Sequence, residues 1–136
     1  MEKITTGQTY EQAFQFSQEQ VNAFALLSGD HNPIHLDAEY AAKTAFRRPI
    51  IHGFLAGSVF SKILGMDFPG EGSIYLNQTL SFLRPMYVDT AYIARLTVLE
   101  ADATKRRARI KTEILEQESG RIMTEGEAEV LNKQRI

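Results

Sequence analysis

Cysteine is missing from all 136 residues of the chain, which excludes disulfide bonds and thiolate chemistry and suits a reducing cytoplasm. The fold must therefore be held by its core. One domain spanning 1–136 is expected, long enough to bury roughly 68% of the surface that its unfolded chain exposes. Long apolar runs are missing too: no window approaches the roughly 18 consecutive apolar residues of a membrane span. The opening stretch Met1-Glu2-Lys3-Ile4-Thr5-Thr6-Gly7-Gln8 has no apolar signal-peptide region. A soluble, cytoplasmic, unexported protein with no membrane partner is expected. Nor does one sign of charge dominate, since 15 Lys and Arg against 17 Asp and Glu leave a formal net charge of -2. Nothing pulls the whole molecule towards nucleic acid or an anionic membrane. An anionic ligand must find a local patch.

What is present divides into elements by periodicity. Residues 9–16 mix aromatic and polar residues as a half-buried strand does. Ser17 reads as an N-cap with Gln20 at the capping-box position, followed by Val21, Phe24, Ala25 and Ser28 on one helical face as far as Gly29. Asp37 is placed to cap a short helix over 38–42. From Gly53 to Met66 the chain is apolar on nearly every face, which predicts a helix covered on most sides. Period-two alternation follows in four segments: Ile74, Leu76, Leu80 and Phe82; Tyr92, Ala94, Leu96 and Val98; Ala108, Ile110, Thr112 and Ile114; Ile122, Thr124, Gly126, Ala128 and Val130. Four such strands in succession predict an antiparallel meander wrapped around the central helix.

Titratable side chains crowd Ser28-Gly29-Asp30-His31-Asn32-Pro33-Ile34-His35-Leu36-Asp37, around a proline expected to forbid a regular helix. His31 and His35 stand four apart, as zinc-binding pairs on helices do, but Pro33 between them removes the helical premise, so no metal is expected. A turn would account for Gly29, Asn32 and Pro33. It leaves unexplained two histidines flanked by carboxylates, and a second run, Pro49-Ile50-Ile51-His52-Gly53, downstream.

Residues 28–35 resemble the signature of the MaoC-like or (R)-specific enoyl-CoA hydratases, Gly-Asp-x-Asn-Pro-hydrophobic-His. Arg48-Pro49-Ile50-Ile51-His52-Gly53-Phe54-Leu55 is similar to that family's entry into its central helix, and Ser81-Phe82-Leu83-Arg84-Pro85-Met86-Tyr87-Val88 to its Phe-x-x-Pro strand end. The resemblance implies an α+β hot-dog fold, a long helix in a curved antiparallel sheet, paired as a homodimer. It implies a hydratase or dehydratase acting on an enoyl or 3-hydroxyacyl thioester of coenzyme A or acyl carrier protein, with no further cofactor. Asp30 and His35 would be the acid/base pair, the Gly53 N–H the donor to the thioester oxygen, and Ser61 a hydrogen-bonding support. Asn32 would shape the loop at the substrate, and Phe54 would lie near the acyl chain, where its bulk points to a short or branched acyl group.

Each type suits that chemistry. Water adds to the carbon beta to the thioester while a proton goes to the alpha carbon, and an imidazole beside a carboxylate can manage both transfers. An amide at a helix N-terminus can meet charge developing on the thioester oxygen. Other residues have plainer readings: His52 as a structural hydrogen-bonding residue, His31 as solvated, Asp37 as a cap, and Ser61 as bonded to the carbonyl four residues back. Arg107, Arg109 and Lys111 share a strand face that reads as solvated, without interleaved aromatic residues for nucleic acid. Arg47, Arg48 and Arg84 flank the motifs and are the expected partners of carrier phosphates. After Val88 the family usually turns on Gly-Asp, whereas Asp89-Thr90 follows here. A thioesterase on the same fold is the alternative enzyme, although the central helix before Asp67 has no acid. A non-catalytic acyl-thioester-binding subunit is the alternative outside enzymology.

Overall fold

The computed structural model describes residues 2–136, so Met1 lies outside the described residues. Strand β1 (Thr9–Phe14) leads into helix α1 (Gln18–Ser28) through the expected capping box. Ser17 Oγ accepts from Gln20 N at 3.2 Å and Gln20 Oε1 accepts from Ser17 N at 2.9 Å. Gly29, at φ 81°, ends the helix in the left-handed conformation that glycine adopts without a Cβ clash.

Pro33 does not break helical structure as expected. It opens a one-turn helix, α2 (Pro33–Leu36), at the first position, where no amide proton is needed and the ring pre-sets φ. Asn32 Oδ1 caps it by accepting from Ile34 N at 3.3 Å. Asp37 caps α3 (Ala38–Ala42) by accepting from Glu39 N and Tyr40 N, as its position predicts.

Helix α4 (Gly53–Met66) buries Leu55, Ala56, Val59, Phe60, Ile63 and Leu64. They pack against the inward residues of β4 (Tyr92–Asp102), β5 (Arg107–Glu116) and β6 (Ile122–Leu131). Fully burying a side chain such as Phe60, Ile63 or Leu64 contributes roughly 1.5–3 kcal/mol. The opposite stripe of α4 is not covered within one chain: Phe54 is 74% and Met66 73% exposed, and Ser58, Ser61 and Lys62 lie between them in solvent.

The sheet order is β1-β4-β5-β6-β2, all antiparallel. Only the last three of the four predicted strands form the meander. The first divides into β2 (Ile74–Gln78) and β3 (Ser81–Phe82), both paired with β6, because β1 already occupies the free edge of β4. On the outer face Arg107, Arg109 and Lys111 pair with Glu129, with Glu100 and Glu127, and with Glu113, the solvated face expected of them. The turn without glycine is made by Asp89 itself at φ 55°, its N–H donating to Phe16 O at 2.8 Å. The result is a hot-dog fold.

Candidate active site

Three segments converge at the N-terminal end of α4. The turn after α1 brings Asp30, α2 brings His35, and residues 50–53 bring His52 and the first helical amide. Local hydrogen bonds determine the placement. Asp30 N donates to Ser28 Oγ at 3.1 Å, and Asp30 Oδ1 accepts from Asn32 N at 3.2 Å, so the cap of α2 also orients the carboxylate. The main chain of α2 is tied to its neighbours by Ile50 N donating to Ile34 O and by Gln18 Nε2 donating to His35 O.

His35 is largely buried, and its Nδ1 lies 2.8 Å from Ile50 O. A carbonyl only accepts, so Nδ1 carries the proton and Nε2 presents a lone pair. That is the tautomer of a general base. One ligand-type atom from each of Asp30, His35 and His52 falls within 4.8 Å of the others. Two imidazoles and a carboxylate are donors that a divalent cation accepts. The rings of His35 and His52 stack at 3.8 Å with 27° between planes.

A cavity of about 810 Å³ opens over this cluster, walled by Asp30, His35, His52, Gly53, Phe54 and Arg84 among others. Gly53 N–H belongs to the first turn of α4, where amides have no intrahelical acceptor, and the His52 side chain does not cap it. It therefore offers a donor backed by the helix dipole. A Cβ on Gly53 would lie 2.7 Å from the ring of Phe82, so a side chain at this position would have to displace that ring.

The predicted residues do not all meet here. Asn32 shapes the site as a cap and stays outside the cavity wall. Arg84 lines the cavity, its Nη1 donating to Ile122 O at 2.6 Å, whereas Arg47 lies outside it, next to the lining residue Phe46. Ser61, expected to support the pair, sits on the exposed stripe of α4 and, within one chain, lines a separate cavity of about 380 Å³ beside β2. It is two turns along the helix from Gly53, with Phe54 standing between the cavities as a wall of both. The residue that sequence reasoning leaves out is His52. It is the hydrogen-bonding residue expected from the sequence, with Nε2 3.1 Å from Asp30 O, and it also stacks on His35, which no motif signals.

Residues 2–120 match the family model described as MaoC like domain. The chain belongs to the MaoC-like domain family. This MaoC-like chain is 43% identical over 129 residues to the (R)-specific enoyl-CoA hydratase of Aeromonas caviae, covering 95% of this chain and 96% of that one. The solved structure of the A. caviae (R)-hydratase involved in PHA biosynthesis superposes with a TM-score of 0.90, covering 95% and 97% of the two chains. The unliganded R-hydratase PhaJ1 from Pseudomonas aeruginosa superposes with a TM-score of 0.89 at 40% identity, over 95% of this chain and 82% of that one.

Proposed function

We propose that the chain is an (R)-specific enoyl-CoA hydratase or 3-hydroxyacyl-thioester dehydratase, adding water reversibly to a trans-2-enoyl thioester. The observation that carries this reading is the shared cavity in which Asp30, a His35 with a free Nε2, and the unpartnered Gly53 amide face one another. In the hydration direction, His35 Nε2 takes a proton from a water held at Asp30, and the oxygen bonds to the beta carbon. The alpha carbon is then protonated by the same pair, while the Gly53 N–H meets negative charge on the thioester oxygen. No cofactor enters this scheme. Coenzyme A or acyl carrier protein is the carrier, with Arg84 as its nearest cation at the cavity wall.

A thioesterase is disfavoured by α4, which has no carboxylate along its length. We place the enzyme in the cytoplasm on its cysteine-free composition, and no helix among the described residues is long and apolar enough to cross a membrane. The homodimer is supported by bare apolar surface on α4 and β2, where Phe54, Met66 and Ile74 are 74%, 73% and 57% exposed. Strand β2 also ends the sheet with an open edge. Light scattering should return twice the 15.3 kDa chain mass.

The functional test is crotonyl-coenzyme A with purified protein, following enoyl-thioester absorbance and free thiol together. Loss of absorbance without thiol is expected. Thiol release would establish the thioesterase instead, and no change with either carrier would leave only a binding role.

A further inference from the structure

His52 is 2% exposed and caps α4 by position, yet its side chain makes no capping hydrogen bond. Helix initiation therefore gives no reason for an imidazole here. Its ring makes three other contacts. Nε2 lies 3.1 Å from the backbone oxygen of Asp30 and must donate to it, since a carbonyl only accepts. One face lies on His35 at 3.8 Å. Phe24 closes against the ring from another side, with centroids 4.8 Å apart and planes at 62°.

We propose that His52 is a positioning residue for the hydration reaction. Its Nε2–H holds the main chain of Asp30 and its ring face holds the plane of His35, so one imidazole sets the spacing of both members of the pair. The inference rests on the reading of Asp30 and His35 as that pair. Its contacts reach three separate segments, and among the described residues no other side chain bonds to one catalytic group while stacking on the other.

The tautomer has a consequence. With the proton on Nε2, the buried Nδ1 keeps a lone pair that finds no hydrogen-bond partner among the described residues. Protonating His52 would create a buried N–H without an acceptor and a cation stacked on His35, and both oppose it. The titratable groups facing the ring are His35 and Asp30. Burial is also the main cause that pulls the His52 pKa down, with the charge of His35 acting in the same direction and the hydrogen bond to Asp30 in the opposite one. His52 thus remains neutral, and the imidazolium that His35 becomes during turnover forms against a neutral aromatic face instead of a second cation.

Two substitutions separate the two contacts. His52→Phe keeps a ring face and loses the N–H; His52→Asn keeps an N–H donor and loses the ring. Each should lower kcat for crotonyl-coenzyme A by about 10- to 100-fold, the scale of a sub-ångström to 1 Å misplacement of a catalytic group, with KM within about threefold. The NMR signals of the His35 ring protons supply a readout independent of turnover. Their ring-current shift should persist in His52→Phe and disappear in His52→Asn. A kcat within about twofold of wild type in both folded variants would overturn the inference, as would a raised KM with kcat unchanged. If circular dichroism finds either variant unfolded, His52→Gln is measured against the same thresholds and decides. Asp30→Asn and His35→Ala are assayed alongside: if these keep full turnover the catalytic reading itself fails, whereas their loss beside active His52 variants refutes only the positioning role.

Discussion

The ring of Phe82 occupies the space that a side chain at position 53 would need, with Cε1 2.7 Å from where a Cβ would sit. Gly53→Ala must therefore move that ring, which is half exposed and free to swing, so the fold should survive while the cavity wall shifts. We expect kcat/KM to fall about tenfold, within the 0.5–3 kcal/mol over which contacting residues couple. Adding Phe82→Ala should recover most of the loss. Steady-state kinetics of the double variant checks this, and a double variant no better than the single would refute the steric explanation.

Removing either member of the catalytic pair should be far more costly. Asp30→Asn and His35→Ala should each reduce turnover by about 100- to 10,000-fold, the usual contribution of a positioned acid or base. Enoyl-thioester absorbance measures both, and losses of only a few fold would reassign the chemistry.

Phe54 separates the reaction cavity from the second cavity along α4, and its ring packs edge-on against Phe82 at 6.3 Å. Truncation should join the two spaces. Phe54→Ala should raise the kcat/KM of an octenoyl over a crotonyl thioester by roughly 10-fold, as expected when the extra methylenes of a longer chain enter an apolar pocket. A chain-length profile unchanged by the substitution would mean that the acyl group runs elsewhere.

Among the cations near the motifs, Arg84 lines the cavity and Arg47 does not. Arg84→Ala should raise the KM for a coenzyme A ester by roughly two- to fivefold with little change in kcat, the scale of one partly exposed ion pair. Arg47→Ala should change it less. Equal effects from both would place the carrier phosphates outside the cavity mouth.

Stability should depend on pH through His52. Burial holds its pKa below the ordinary value of about 6.5, so the unfolded chain takes up a proton that the folded chain refuses. The sign follows: stability is full above about pH 6.5 and falls as pH drops below it, levelling out once the folded-state pKa is passed. Urea midpoints at pH 7.5 and 5.5 should show the drop, and His52→Asn should lessen it.

Much of the fold is legible in the sequence because local rules govern it. Ser17 and Gln20 announce a helix start, Gly29 its end, and Asp37 another cap. The alternation through β4, β5 and β6 marks which side chains are buried. Pro33 misleads because the same ring that disrupts a helix interior fits its first turn, and spacing alone does not distinguish the two. The strand order is also hidden, since whether residues 74–82 pair with β4 or β6 depends on β1 having taken one edge first. The motifs that carry Asp30, His35 and Gly53 meet at one cavity, whereas the stacking of His52 on His35 and the separate cavity beside Ser61 are not written in any motif.

The sequence by itself determined the elements, their buried faces and the residue types that meet at the candidate site, because capping, alternation and backbone freedom act within a few positions. Tertiary structure alone decided that His52 stacks on His35 and holds Asp30, that Phe82 fills the space over Gly53, and that Ser61 faces another cavity. Those relations join residues far apart in sequence, such as His35 with His52 and Gly53 with Phe82. Periodicity says nothing at that range; the packing of α1, α2 and β3 around the start of α4 establishes it.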